Sequence, residues 1–226
     1  MSNISTIPSI TYKVECGTER GTAFFVDVNR LLTAFHVVGS ALNGNSIYVE
    51  IEEKEYECEL TIVKHGKDIA ILKLKDVAVS HKYGSLLSMP IEAKTHFRFW
   101  GYPSTLIGQA AGQSVKIRVD ETYKALNGDF DAYAVFEDEK HLTEYAGFSG
   151  SPVYTDGDKI IGIVTNILDS HIGFISIKNV EAELKAHDVP AESDYIKFQE
   201  IAYGRKECAE KLRKQIALAG NRYKPE

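Results

Sequence analysis

Apolar and polar residues alternate from Ser46 to Glu52 and again from Tyr56 to Val63, the period-two pattern of strands with one buried face. Gly21 to Val28 alternates poorly but is rich in Phe and Val, and Asn29-Arg30 turns it into Leu31-Leu32-Thr33. Ile69 to Leu74 reads as a further strand, and His36-Val37-Val38-Gly39 as a single helical turn after a strand. Periodicity weakens between Lys75 and Lys94, a connector holding Ser80, Gly84, Ser88 and Pro90. A second strand-rich block follows over His96 to Tyr102, Ser114 to Val119, Ala132 to Phe136, Val153-Tyr154, Lys159 to Thr165 and Ile172 to Ile177. The turns Gly101-Tyr102-Pro103, Asn127-Gly128-Asp129 and Asp156-Gly157-Asp158 punctuate it. Many short strands at this spacing predict an all-β protein of barrels or sandwiches.

Helical periodicity is confined to the end. Asn179 is expected to cap a short helix running through His187, with Val180 and Leu184 one turn apart and Pro190 beyond it. Phe198, Ala202, Cys208, Leu212, Ile216 and Ala219 then form the apolar stripe of a longer helix whose other face is charged. It packs on its own barrel or docks a regulatory or target protein. The expected division is residues 9–78, a connector at 79–94, residues 95–178, and a helical segment at 179–226.

Composition narrows the function. With 44% hydrophobic residues in 226, the chain can bury a core without staples. Its net charge of -6 argues against nucleic acid or an anionic membrane as partner. No apolar run reaches membrane-spanning length, and Met1 to Pro8 lacks the basic-then-apolar order of a secretory signal. Cys16, Cys58 and Cys208 are too few and scattered for a disulfide framework or a zinc site. These features predict a cytoplasmic protein. Glu55, Glu57 and Glu59 alternate with Tyr56, Cys58 and Leu60, which reads as the wet face of a strand. No calcium-loop spacing accompanies them, and neither metal nor cofactor is expected.

The candidate chemistry centres on Gly147-Phe148-Ser149-Gly150-Ser151-Pro152-Val153, a glycine-flanked serine in a tight turn. A hydroxyl is a poor nucleophile unless a base activates it and a third group orients the base. Upstream lie Thr33-Ala34-Phe35-His36 and Asp68-Ile69-Ala70-Ile71-Leu72. Ser149 is the candidate nucleophile, His36 the base and Asp68 its orienter. The N–H groups of Gly147 and Ser149 are candidate oxyanion donors. Each piece is common alone; their conjunction in the order His, Asp, Ser is not. Since His36 and Asp68 fall in the first block and Ser149 in the second, a common site must lie between two lobes.

With Gly21-Thr22-Ala23-Phe24-Phe25-Val26 and the Gly101-Tyr102-Pro103 turn added, these segments resemble the trypsin-like (chymotrypsin-fold) serine peptidases from about Gly21 to Ile177. Ser149 with its flanks and Ile160-Ile161-Gly162-Ile163 is similar to the glutamyl endopeptidases and their relatives. The resemblance implies two perpendicular six-stranded antiparallel β-barrels with the site between them, C-terminal helices, and a serine endopeptidase acting on protein or peptide through an acyl-enzyme. It places the specificity pocket near Thr143 and Glu144, at Thr165, Asn166 and Ile167, and at Gly173. Animal trypsins carry Asp where Phe148 stands, so activation by an inserted N-terminus is not expected. Glutamate-specific members carry His where Val164 stands, and no side-chain preference is assigned. The likeness extends in kind to unsecreted domains of bacterial defence and quality control that cleave one dedicated partner. A protease-like scaffold that no longer cleaves is the alternative.

Overall fold

The computed structural model describes residues 5–63, 66–75, 82–103, 112–127, 130–137, 146–168 and 171–193. The first barrel comprises β1 (Thr11–Cys16), β2 (Glu19–Phe25), β3 (Arg30–Thr33), β4 (Ile47–Ile51), β5 (Lys54–Val63) and β6 (Ala70–Leu74), closed in the order β1-β2-β3-β6-β5-β4. Between β3 and β4 lie the short helix α1 (Phe35–Val38) and a 3-10 turn at Gly39–Asn43. Alternation in β4 and β5 follows the expected plan: Ile47, Val49, Ile51 and Cys58 point inward while Glu50, Glu55 and Glu59 are exposed. Burial pushes the Cys58 thiol up to about 12, so it stays a protonated packing residue.

The weak alternation of β2 has a physical cause. Phe25 faces the interior of the first barrel, whereas Phe24 faces a second apolar cluster shared with the other barrel. Leu31 and Leu32 divide in the same way. Strands buried on both faces lose the period-two signal because neither face needs polar residues.

The second barrel is formed by β8 (His96–Gly101), β9 (Gln113–Asn127), β10 (Phe130–Phe136), β11 (Pro152–Tyr154), β12 (Lys159–Leu168) and β13 (His171–Ser176). They run in the order β11-β8-β9-β10-β13-β12, and pairing of β11 with β12 closes the ring. The connecting stretch is not structureless. Within it β7 (Ser85–Ser88) pairs in parallel with β12, and β14 (Ala191–Ser193) extends the sheet beyond β7. Both barrels belong to one compact unit, Met1–Glu192. Between them Phe24, Leu32, Ile69 and Ile71 of the first pack with Ile160, Ile163 and Ile175 of the second. Each such side chain contributes roughly 1.5–3 kcal/mol by leaving water.

One helix of the expected C-terminal set is described: α2 (Ile177–Ala186), which buries Ile177, Val180 and Leu184. Its cap differs from the expectation. Ser176, not Asn179, is the N-cap, and its hydroxyl accepts from the Asn179 N–H at 3.2 Å. Asn179 is committed elsewhere, donating its side-chain amide to Asp131. Asp131, itself buried, also accepts from the N–H and the hydroxyl of Ser176, each at 2.6 Å. A buried carboxylate needs such donors, and meeting that need moves the helix start upstream. The amphipathic stripe from Phe198 to Ala219 lies outside the described residues.

Candidate active site

Strand register brings the first two groups together. Thr33 of β3 pairs with Ala70 of β6, so the residues just past one strand and just before the other sit side by side. Ala34 is extended (φ -74, ψ 139) and turns the chain into α1, which places His36 at the barrel rim with its side chain 47% exposed. Asp68 precedes β6 and is 6% exposed. Its Oδ2 lies 2.6 Å from His36 Nδ1, and its Oδ1 accepts the His36 N–H at 2.7 Å. Holding ring and main chain of one residue with both oxygens fixes the plane of the imidazole and favours the proton on Nδ1.

Ser149 comes from the other barrel, but its turn is also bonded to the first. Its carbonyl accepts the Thr22 N–H at 2.8 Å, and the Thr22 hydroxyl donates to Gly147 O at 2.8 Å. That hydroxyl also accepts from the Tyr102 N–H at 3.1 Å, so the Gly101-Tyr102-Pro103 turn meets the same point. Thr33 donates its hydroxyl to Thr22 O at 2.8 Å. Gly147 and Gly150 are left-handed, with φ 94 and 87. At Gly150 the requirement is steric as well: a Cβ would stand 2.0 Å from Thr22 O and 3.0 Å from Ala34 N. The serine turn thus rests on the backbone two residues before His36. From the second barrel, Gly150 N–H donates to Val164 O at 2.8 Å.

Phe148 is fully buried in the second barrel, its ring edge-on to Phe99 with centroids 5.1 Å apart. An aromatic anchor therefore holds the position next to the serine where trypsins carry an acid. Of the expected specificity residues, Thr143 and Glu144 lie outside the described residues. Thr165, Asn166 and Ile167 lie on β12 where its register shifts, and Asn166 pairs with Gly173 of β13. Thr165 is buried and its hydroxyl donates to Gly173 O at 3.5 Å. The Phe130 ring covers Gly173, 2.9 Å from where a Cβ would be. Val164 is buried in the core, and His171 stacks on Tyr133 with centroids 4.8 Å apart. Among the described residues no three His, Cys, Asp or Glu side chains converge as metal ligands. Thr22 and Thr33 were visible in the motifs, but nothing in the sequence assigned the Thr22 hydroxyl to the serine turn or the Thr33 hydroxyl to the Thr22 carbonyl.

Two closed six-stranded barrels with this seam are the chymotrypsin-like architecture. The chain belongs to the trypsin-like peptidase domain family, which it matches over residues 21–163. Among solved structures it is similar to the active form of the Rv3671c protease from M. tuberculosis, with TM-score 0.64 and 20% identity over 83% of this chain and 84% of that one. It is also similar to Deg5, with TM-score 0.62 and 15% identity over 79% and 88%. A human pathogenic astrovirus serine protease gives TM-score 0.58 and 18% identity over 78% and 95%. At such identities the likeness shows the fold alone. No curated protein matches. Among the described residues, no helix is long and apolar enough to cross a membrane.

Proposed function

We propose that the protein is a serine endopeptidase with Ser149 as nucleophile, His36 as general base and Asp68 as the group that orients it. Ser149 Oγ attacks the scissile carbonyl while His36 Nε2 takes its proton; collapse of the tetrahedral species passes that proton to the leaving amine. Water then repeats the sequence on the acyl-enzyme and restores the hydroxyl. The N–H groups of Gly147 and Ser149 receive the oxyanion. The observation that carries this reading is the two-oxygen grip of Asp68 on His36, at 2.6 and 2.7 Å, in the barrel whose Thr22 also holds the serine turn. That grip serves a base that must become cationic in place.

Thr165, Asn166, Ile167 and Gly173, with Thr143 and Glu144, would receive the substrate residue before the cleaved bond. The motif likeness to glutamyl endopeptidases is not extended to a preference for glutamate, because Val164 is turned into the core. Cys16 and Cys58 are free thiols, which suits action on a protein target in the cytoplasm. A place in bacterial defence or quality control rests on analogy with unsecreted relatives. Partner docking on residues 192–226 concerns a segment that, beyond Ser193, lies outside the described residues. A fluorophosphonate probe tests the catalytic reading. Labelling of the wild type but not of Ser149→Ala supports the enzyme; no labelling of folded wild type, with or without candidate targets, overturns it in favour of a silent scaffold.

A further inference from the structure

We propose that Lys67 is a positioning residue for the reaction, acting with Glu183 to hold Asp68 in register with His36; this rests on the catalytic reading above. Lys67 immediately precedes Asp68 in the first barrel, yet its side chain leaves that barrel for α2. Its Nζ donates to Glu183 Oε1 at 2.8 Å and to the Asn179 carbonyl. The pair is largely buried, with side chains 19% and 13% exposed. The residue after Asp68 is tied to the same helix: Ile69 lies in the apolar cluster with Ile177, Val180 and Leu184, and its N–H donates to Lys67 O at 2.8 Å. Asp68 therefore sits between two residues fixed on α2, and its own side chain is turned toward His36.

The helix has the anchoring to serve as a reference. Its first turn is held through Asn179 and Ser176 by the buried Asp131 of β10. Beyond its last turn, Arg30 of β3 donates to the carbonyls of His187 and Asp188. Along its length Glu181 accepts from the Ser88 hydroxyl at 2.7 Å. The Lys67–Glu183 pair couples this frame to the one carboxylate whose position sets the ring of His36. A buried pair of opposite charges resists separation because either partner alone would be left desolvated. It can therefore hold a loop that carries no regular main-chain ladder.

The test uses the full chain and compares Lys67→Met, Glu183→Gln and Lys67→Arg. Lys67→Met is expected to lower kcat on the order of 10–100-fold, the scale of a misplaced catalytic group, with KM unchanged. Glu183→Gln, nearly isosteric and the safer variant for folding, is expected to reproduce the loss in part, and Lys67→Arg to recover most of it. A readout independent of turnover is the low-field proton resonance of the His36 Nδ1–H bound to Asp68, which should shift or broaden in Lys67→Met and Glu183→Gln and return in Lys67→Arg. Wild-type kcat and an unmoved resonance in folded Glu183→Gln would overturn the proposal, as would a kcat loss no larger than the fraction of protein unfolded. If Ser149→Ala turns over as fast as wild type, the protease reading fails instead, while the resonance still decides whether Lys67 positions Asp68.

Discussion

Asp68→Asn isolates the electrostatic part of the site from its shape. Asp68 accepts two bonds from His36, the main-chain N–H at 2.7 Å and Nδ1 at 2.6 Å. An amide offers only one oxygen, and its other end is a donor. If the oxygen keeps Nδ1–H, the NH2 faces the His36 main-chain N–H, and two donors confront each other beside a buried side chain, costing about 1–3 kcal/mol. If the oxygen keeps the main-chain N–H, the NH2 faces Nδ1, which can accept by moving its proton to Nε2. The second arrangement wins because an imidazole can change tautomer and a peptide group cannot. The fold survives, but His36 then presents a proton to Ser149 instead of a lone pair. The expected loss of turnover is on the order of 10⁴-fold, or about 5.5 kcal/mol of transition-state stabilisation. Steady-state cleavage of a peptide substrate, with circular dichroism as the folding control, measures it. Folded Asp68→Asn with turnover within a factor of about ten of wild type would refute the tautomer argument and remove Asp68 from the mechanism.

Gly150→Ala should cost about 2–5 kcal/mol in urea unfolding, combining a left-handed alanine with overpacking against Thr22 O at 2.0 Å, and should abolish turnover; wild-type stability would contradict the geometry. Ile51 pairs with Lys54 across a two-residue turn in which Glu52 and Glu53 take φ 49 and 64, a conformation that suits Asn-Gly. The double variant Glu52→Asn/Glu53→Gly should therefore gain about 1–2 kcal/mol and raise Tm by about 2–8 °C, and a Tm at or below wild type argues against the strain. The Ser88 hydroxyl, and after it Lys178, holds the Glu181 carboxyl below its ordinary value of 4.5. Its stabilising contribution is then complete above that value and vanishes as pH falls through the lowered folded one. Glu181→Gln should flatten the stability profile in that acidic window alone, and an identical profile would mean the bond does not form in solution.

The candidate site left clearer local signals in the sequence than the fold around it. His36, Asp68 and Ser149 carry local signatures because each sits at a strand end where the chain must turn, and turns restrict residue type. Strands β4 and β5 were legible because one face is wet. Strands β2 and β3 were blurred because Phe24 and Leu32 serve the seam while Phe25 and Leu31 serve the barrel. β7 escaped notice in the connector because a four-residue strand pairing in parallel with distant β12 leaves no local period. The N-cap was misplaced because the buried charge of Asp131, far away in the chain, decides where the helix begins. Lys67 gave no signal, since its partners lie more than a hundred residues downstream.

That pattern follows from where the site is built. The serine turn belongs by connectivity to the second barrel, yet Thr22 of the first, itself braced by the Thr33 hydroxyl, supplies a main-chain and a hydroxyl contact to it. Asp68 belongs to the first, yet its neighbours Lys67 and Ile69 are fixed on a helix that follows the second. Each barrel thus holds a segment of the proposed site that belongs by connectivity to the other. The apolar seam of Phe24, Leu32 and Ile71 against Ile160, Ile163 and Ile175 supplies the association energy. The Thr22 hydroxyl and the Lys67–Glu183 pair supply the direction that an apolar seam lacks, because dispersion and water exclusion tolerate sliding whereas hydrogen bonds do not. A seam that was only apolar would hold the barrels together and leave the serine turn free to slide against the first.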